Sequence, residues 1–388
     1  MIWIILITGI IVLFFVFFEL WYRTRENAVT EFVPVKRSKW EIITEDREVK
    51  YVCEIPIINF SNFYEATVVD VKSSLRLLYK AKRPDDLNAD VDIIPLHKEV
   101  REDGYWPAYI LTPKTTLNVK ISINLKGNLS RINEIHAGII RLDYQIYSRY
   151  RLKNQFTEII LVTDTHKPEQ PEPIEENDFT IFPIKTHLLS DIDDVADVVE
   201  NYTKEFRQKG DIVAIAESVA AITQRRYRHP LEVKPGWWAS RLCLLIPNAG
   251  SLSSRYGMQC AIDEVGLGRM LLAVKLGALF KLVGKKGWLY IIAGKQSELI
   301  DDITGTMPPY DKYIVLGPYM AEQMVKKIKE KSGVEAAIVD VNNLKRVFIL
   351  AGTEGVDKNK LTRCLVNNPT GNAAEQTPFV LIRYKDNK

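Results

Sequence analysis

The sequence predicts an α+β protein: an N-terminal apolar helix, a β-sandwich-like module, and then a mixed α/β domain. Three observations carry this reading. Residues Met1 to Phe18 contain no charge. From about Val35 to Thr163, short segments alternate apolar and polar residues with period two. After Phe179, helical and strand-like patterns interleave without a regular βαβ beat. The expected organisation is 1–22 anchor, 35–163 β-module, 164–178 linker and 179–388 mixed domain.

The apolar run continues to Tyr22 around a single Glu19, a length that suits a bilayer-spanning helix of roughly 20 residues. No basic n-region or small-x-small site marks a cleaved signal. The flanking charges Arg23, Arg25, Lys36 and Arg37 all lie on the C-terminal side. The positive-inside rule therefore predicts a single-pass membrane protein with its body in the cytoplasm, held through residues 1–22.

In the β-module the clearest strand is Leu117–Leu125, where Leu117, Val119, Ile121, Ile123 and Leu125 alternate with polar residues. Ile140, Leu142, Tyr144 and Ile146 repeat the pattern. Further strands are expected at Tyr51–Asn59, Ala66–Leu78, Ala108–Leu111 and Phe156–Val162. One apolar face per strand and turns between them predict a sandwich. Nothing there reads as catalytic, so a binding or spacer role is the default. Asp164–Asp178 is rich in Pro and Glu and reads as a semi-extended linker.

The second domain opens with strand Thr180–Ile184. A helix is then predicted from the spacing of Ile192, Val195, Val199, Tyr202 and Phe206, with Ser190 and Asp193 as a capping pair. Asp211–Ala216 reads as a buried strand. Gln224–His229 is a basic cluster, read as a solvated loop or a membrane-surface contact, with a phosphate contact as the sharper alternative. Met258–Val283 reads as helix, bent near Gly266 and Gly268. Trp288–Ala293, Tyr313–Leu316, Val334–Asp340, Val347–Ala351 and Phe379–Tyr384 read as strands, and Tyr319–Lys331 as an amphipathic helix closed by Gly333.

The stretch with most chemical promise is Arg241–Arg269. Leu242–Ile246 reads as a buried strand ending at Pro247. Asn248, Ala249, Gly250, Ser251, Ser253 and Ser254 form a small polar loop whose N–H groups can approach an anion. A helix carrying Asp263 and Glu264 follows. Strand, small-residue loop and acidic helix can build a phosphate-and-metal site; a tight connection with ordinary surface acids reads the same residues equally simply.

Composition narrows the field. The chain has 388 residues, 26% charged, with net charge +3, and so does not call for nucleic acid. Cys53, Cys243, Cys260 and Cys364 are scattered and fit buried free thiols better than disulfides or zinc. His97, His136, His166, His187 and His229 show no ligand spacing. There is no GxxxxGK[ST], GxGxxG or GxSxG motif.

Four stretches of the second domain, FPIKTHLLSDIDDVADVV with KGDIVAIAES, IPNAGSLS, LGPYMAEQMVKKIKEKSGVEAAIVDVNNLKR and NPTGNAAEQTPFVLIR, resemble the coenzyme F-420 gamma-glutamyl ligase family. The resemblance covers roughly Phe179 to Arg383 and leaves the β-module outside it. It implies joining glutamate through its amine to a carboxylate of a deazaflavin precursor, at the expense of GTP and with magnesium or manganese. It also implies an intertwined α+β homodimer. Asn248, Ala249, Gly250 and Ser254 match the family's phosphate-side loop, and Asp340 matches a metal-ligating Asp. Three positions depart: Leu252 stands where the family has a metal-binding Asp, Arg255 where it has Asn, and Val341 where it has the Thr that follows its second metal-ligating Asp. Leucine cannot ligate a hard cation, so Asp263 or Glu264 is the replacement carboxylate to test.

Two classes of function follow. One is a ligase-like enzyme at a membrane face, using GTP and metal held by Asp340 with Asp263 or Glu264, with an unknown small-molecule acceptor. The other is a non-catalytic, membrane-tethered binding or scaffold module that kept the ligase fold. RNA binding through Arg225, Arg226 and Arg228 lacks the charge excess and interleaved aromatics it requires.

Overall fold

The computed structural model describes residues 2–23, 29–45, 48–80, 87–97, 105–128, 132–163, 166–246, 251–284, 287–301, 303, 307–341, 345–369, 371 and 375–385. The chain divides into two compact units. The first comprises Met1–Arg76, Pro84–Ile132 and Ile140–Ile159; the second comprises Leu77–Arg83, Asn133–Ile139 and Ile160–Lys388.

The β-rich module follows the period-two pattern. One sheet has the order Thr30–Phe32, Glu48–Asn59, Thr116–Lys126, Asn88–Pro95, with Glu41–Glu45 also paired to Glu48–Asn59, and every pairing is antiparallel. The other runs Tyr109–Leu111, Ala66–Tyr79, Ile135–Ser148, Leu152–Val162. Leu117, Val119, Ile121, Ile123 and Leu125 are all buried, whereas Asn118 is exposed and Lys120 and Asn124 are half-buried. Side chains alternate across a pleat, so one apolar face per strand is enough to build this core.

The N-terminal segment forms the expected helix, Ile2–Arg23. The reading of it as a membrane anchor is overturned. Among the described residues no helix is long and apolar enough to cross a membrane. The single-pass assignment is withdrawn, and with it the orientation inferred from flanking charge.

The second unit is built on a six-stranded sheet in the order Ile174–Glu175, Phe179–Ile184, Phe379–Tyr384, Ile212–Ala216, Glu335–Val341, Val347–Gly352. All neighbours are antiparallel except Ile212–Ala216 and Glu335–Val341, which run parallel with Ile212 opposite Glu335 and Ala216 opposite Val339. Both faces are covered. Val213, Ile215, Ile338 and Phe379 pack with Val199 and Tyr202 of helix Val195–Thr203 and with Val325 and Ile328 of helix Ala321–Ser332. Ala214, Val339 and Val380 pack on the other face with Leu361 and Leu365 of helix Lys358–Leu365. Burial on both faces explains why these strands read as continuous apolar runs rather than alternating ones.

Several elements differ from expectation. Leu242–Ile246 is not a strand: Ala239–Leu242 is one α-turn and Cys243–Leu245 a 3₁₀ turn, leaving Leu244 79% and Leu245 66% exposed. Trp288–Ala293 is a helix that starts after Gly287, whose φ is +85°. Short apolar runs carry no period that separates strand from helix, and here the neighbouring helices decided. The cap of Val195–Thr203 is Asp194, which accepts from the N–H groups of Ala196 and Asp197, while Asp193 closes the preceding turn on Ser190. The bend between helices Arg255–Val265 and Leu267–Leu282 falls at Gly266, with φ +84°. In the Pro- and Glu-rich segment, Asp164 and Thr165 lie outside the described residues. The rest is partly tied down: His166 O accepts from Tyr202 Oη at 2.7 Å, Ile174–Glu175 pairs with Phe179–Ile184, and Asp178 O accepts from Lys385 N. Backbone pairing needs no apolar side chain, so composition alone misses it. All four cysteines are buried free thiols, as expected.

Asp211 fixes the edge of this core. Its carboxylate is buried and accepts Arg383 Nε at 2.9 Å and Nη2 at 2.8 Å, while Arg383 also donates to Phe206 O. Removing the guanidinium strands a buried charge. Arg383→Ala is expected to cost about 3 kcal/mol, read as a lowered midpoint in urea unfolding; an unchanged midpoint would show that water already compensates Asp211.

Candidate functional site

The parallel pair of strands sets the position of the main cleft. A strand's C-terminal end, at a point where chain direction or connection changes, leaves a crevice that helices do not fill. Ala216 and Val339 are register partners, so the next residues, Glu217 and Asp340, emerge side by side at the strand ends. Glu217 opens helix Glu217–Thr223. From the crossover connection come Glu298, ending helix Lys295–Glu298, and Asp301, whose backbone bridges to Val315. These four carboxylates line one cleft of about 450 Å³, together with His187, Arg346 and an apolar wall that includes Leu188, Ile222 and Phe348.

The carboxylates perturb one another. Burial pushes the Glu217 carboxyl up to about 8, and repulsion from Asp340, Asp301 and Glu298 adds to it. Burial and then Asp340 push Asp301 up to about 6. Burial also raises Asp340. The cleft is thus an acidic concavity in which burial, with mutual repulsion, favours the protonated forms of Glu217 and Asp301. His187 is held in its wall by Tyr202, 2.9 Å from Nδ1, and Asp193, 3.2 Å from Nε2. Both ring nitrogens are engaged within the wall, so His187 serves to shape it.

The acidic residues expected to join Asp340 do not come to it. Neither Asp263 nor Glu264 lines the cleft. Glu264 receives a bidentate pair from buried Arg226, with both contacts 2.9 Å, and a hydrogen bond from Tyr319 Oη. Burial would raise its carboxyl, but these bonds outweigh that and hold it below the ordinary carboxylate range. Asp263 accepts Arg228 Nη1 at 2.6 Å and Gln259 Nε2 at 2.7 Å. Arg225 pairs with Asp191. The basic cluster at 224–229 is therefore a set of partners for these acids rather than a phosphate contact.

Arg226 also supports the cleft from behind. Its Nε donates to Gly317 O, Nη2 donates to Gln296 Oε1, and the Tyr319 ring lies over the guanidinium at 3.4 Å. Gln296 stands two residues from Glu298 and is further bound to Pro318 O. Gly317 must be glycine here, since a Cβ would meet Leu299 at 2.5 Å.

Of the expected phosphate loop, Asn248, Ala249 and Gly250 lie outside the described residues. Ser254 caps helix Arg255–Val265, its Oγ accepting from Gly257 N at 2.9 Å. Leu252 is fully buried, in a core with Met258, Met270 and Ala273. The departure from a ligating Asp is thus a packing position in this chain. Sequence reading missed Glu217, Glu298 and Asp301. The signal was an acid directly after each of two apolar strands, which gains meaning only when those strands are known to be parallel neighbours.

Comparison with known proteins bears on the β-rich module. Residues 34–164 match the family model for the F420-0:gamma-glutamyl ligase, N-terminal Ig-like domain. The match supports the relationship to that ligase family at family level only; it falls on the module which the second-domain resemblance left outside and does not extend to the second domain. No curated protein matches the chain. Among solved structures, the GAE domain of GGA2p from Saccharomyces cerevisiae is 7% identical, covering 34% of this chain and 97% of that one with a TM-score of 0.20. A FixG-related protein from Vibrio parahaemolyticus is 12% identical, covering 37% and 100% with a TM-score of 0.19. Likenesses at these scores carry no argument.

The raised carboxyls make stability depend on pH. Between the ordinary carboxylate range and about 8, the folded state holds a proton on Glu217 that the unfolded chain has released. Stability from this group is therefore present at low pH and is lost as pH rises through about 8. Glu217→Gln is expected to flatten the fall in melting temperature between mildly acidic and mildly alkaline buffer. A variant with the wild-type slope would remove Glu217 as its source.

Proposed function

We propose that this chain is a ligase-like enzyme that joins an amino acid, glutamate in the first instance, through its amine to a carboxylate acceptor, with GTP and magnesium or manganese. The family match of residues 34–164 gives the ligase relationship its support. The observation that carries the chemistry is the acidic cleft at Glu217 and Asp340, at the carboxyl ends of two parallel strands.

The donor set fits a hard divalent cation, which takes carboxylate oxygens. Its members repel one another, and a cation would relieve that repulsion while displacing their protons. Among the described residues no group of three is arranged to hold an ion, so nucleotide oxygens would be needed to complete a shell. Asp340 would hold the metal together with those nucleotide oxygens; Asp263 and Glu264 are committed to arginines. The metal would supply neutralisation of phosphate charge. The resemblance assigns phosphate contact to Asn248, Ala249, Gly250 and Ser254. The resemblance adds a homodimer to this proposal.

A second reading is a non-catalytic module that kept the fold. Buried Leu252, in place of a ligand, favours it. Calorimetry with GTP and manganese separates the two. The enzyme reading expects little metal binding alone, measurable binding with GTP, and at least tenfold weaker metal binding in Asp340→Asn, which keeps shape and removes charge. Wild-type protein that binds neither ligand at millimolar concentration would leave the non-catalytic module as the better account.

A further inference from the structure

Between Glu264 and Glu298 the sequence holds no acidic residue and six cations: Arg269, Lys275, Lys281, Lys285, Lys286 and Lys295. The structure folds this stretch into a helical hairpin, Leu267–Leu282 followed by Trp288–Ala293. The two helices meet closely at Gly277, where a Cβ would lie 2.9 Å from that of Leu289. Met270, Ala273 and Val274 face the core. The opposite face is apolar yet open: Leu272 is 51%, Leu279 52%, Leu282 83% and Val283 70% exposed, with Lys275 exposed among them. At helical spacing Leu272, Leu279 and Val283 form one stripe. Near the hairpin's turn Phe280 stacks on Trp288 with ring centroids 4.0 Å apart.

A protein surface does not usually leave such a stripe open, and the wholly positive charge of the same stretch of chain bears on what meets it. A second copy would bring lysines against lysines. We propose that this hairpin is a peripheral docking surface for an anionic lipid interface. Leu282, Val283 and the Phe280–Trp288 pair enter the headgroup–acyl boundary, and Lys275 and Lys281 meet phosphate and carboxylate headgroups. Apolar stripe, aromatic pair and flanking lysines are the parts such contacts use. The contact lies on one leaflet and needs no spanning helix.

Flotation of the full chain with vesicles tests this. Phosphatidylcholine vesicles with and without about one-third phosphatidylserine separate charge-dependent from charge-independent adsorption, including any by the exposed helix Ile2–Arg23. Wild type is expected to bind the anionic vesicles at least tenfold better, with the gain lost in high salt. Each basic residue near the surface contributes roughly a fivefold factor, so Lys275→Glu with Lys281→Glu is expected to abolish the gain. Leu282→Ser with Val283→Ser is expected to weaken anionic binding without changing the circular dichroism spectrum. Equal binding to both vesicle types, or unaltered anionic binding by both variants, overturns the proposal. Sedimentation in which the serine variant converts a dimer to a monomer also overturns it, in favour of a second copy as the occupant.

Discussion

The second unit depends on one pairing, the parallel ladder between Ile212–Ala216 and Glu335–Val341. Parallel neighbours cannot be joined by a tight turn; they require a crossover. The crossover here carries the whole helical region, including the hairpin, before the chain returns to the sheet. It also carries Glu298 and Asp301 to the place where Glu217 and Asp340 already stand. The same ladder thus builds the core and concentrates the acids.

Concentrating four carboxylates in a half-buried cleft opposes folding. Repulsion and desolvation raise Glu217 and Asp301 rather than leaving both fully ionised. The molecule spends its arginines elsewhere: Arg226 on Glu264, Arg228 on Asp263, Arg383 on Asp211. Acids that bear structure are thereby paired with arginines, whereas Glu217 and Asp301 in the cleft are raised by burial and by neighbouring carboxylates. This division separates Glu264 from Glu217 more clearly than burial does.

The β-rich module reaches its fold by a different route. Strands such as Thr116–Lys126 bury one face, the pairings of its five-stranded sheet are antiparallel, and its family match covers residues 34–164. The second unit instead surrounds its sheet with helices on both faces, so its strand sequences lose the alternation that makes the first module easy to read.

What the sequence by itself determined follows from local physics. Period-two alternation set Thr116–Lys126 and Ile135–Ser148, and helical spacing with Gly333 set Ala321–Ser332. Scattered thiols gave buried free cysteines. Asp340 was legible as a residue at the end of an apolar strand. Tertiary structure decided the rest. Leu242–Ile246 and Trp288–Ala293 are helical because their neighbours are helices, which a five-residue apolar run cannot express. Asp263 and Glu264 looked available until folding brought Arg228 and Arg226 to them from about 35 residues away. Glu217 looked ordinary until parallel pairing set it beside Asp340. Partners distant in the chain fix a charged group's role, and those partners are chosen by the sheet.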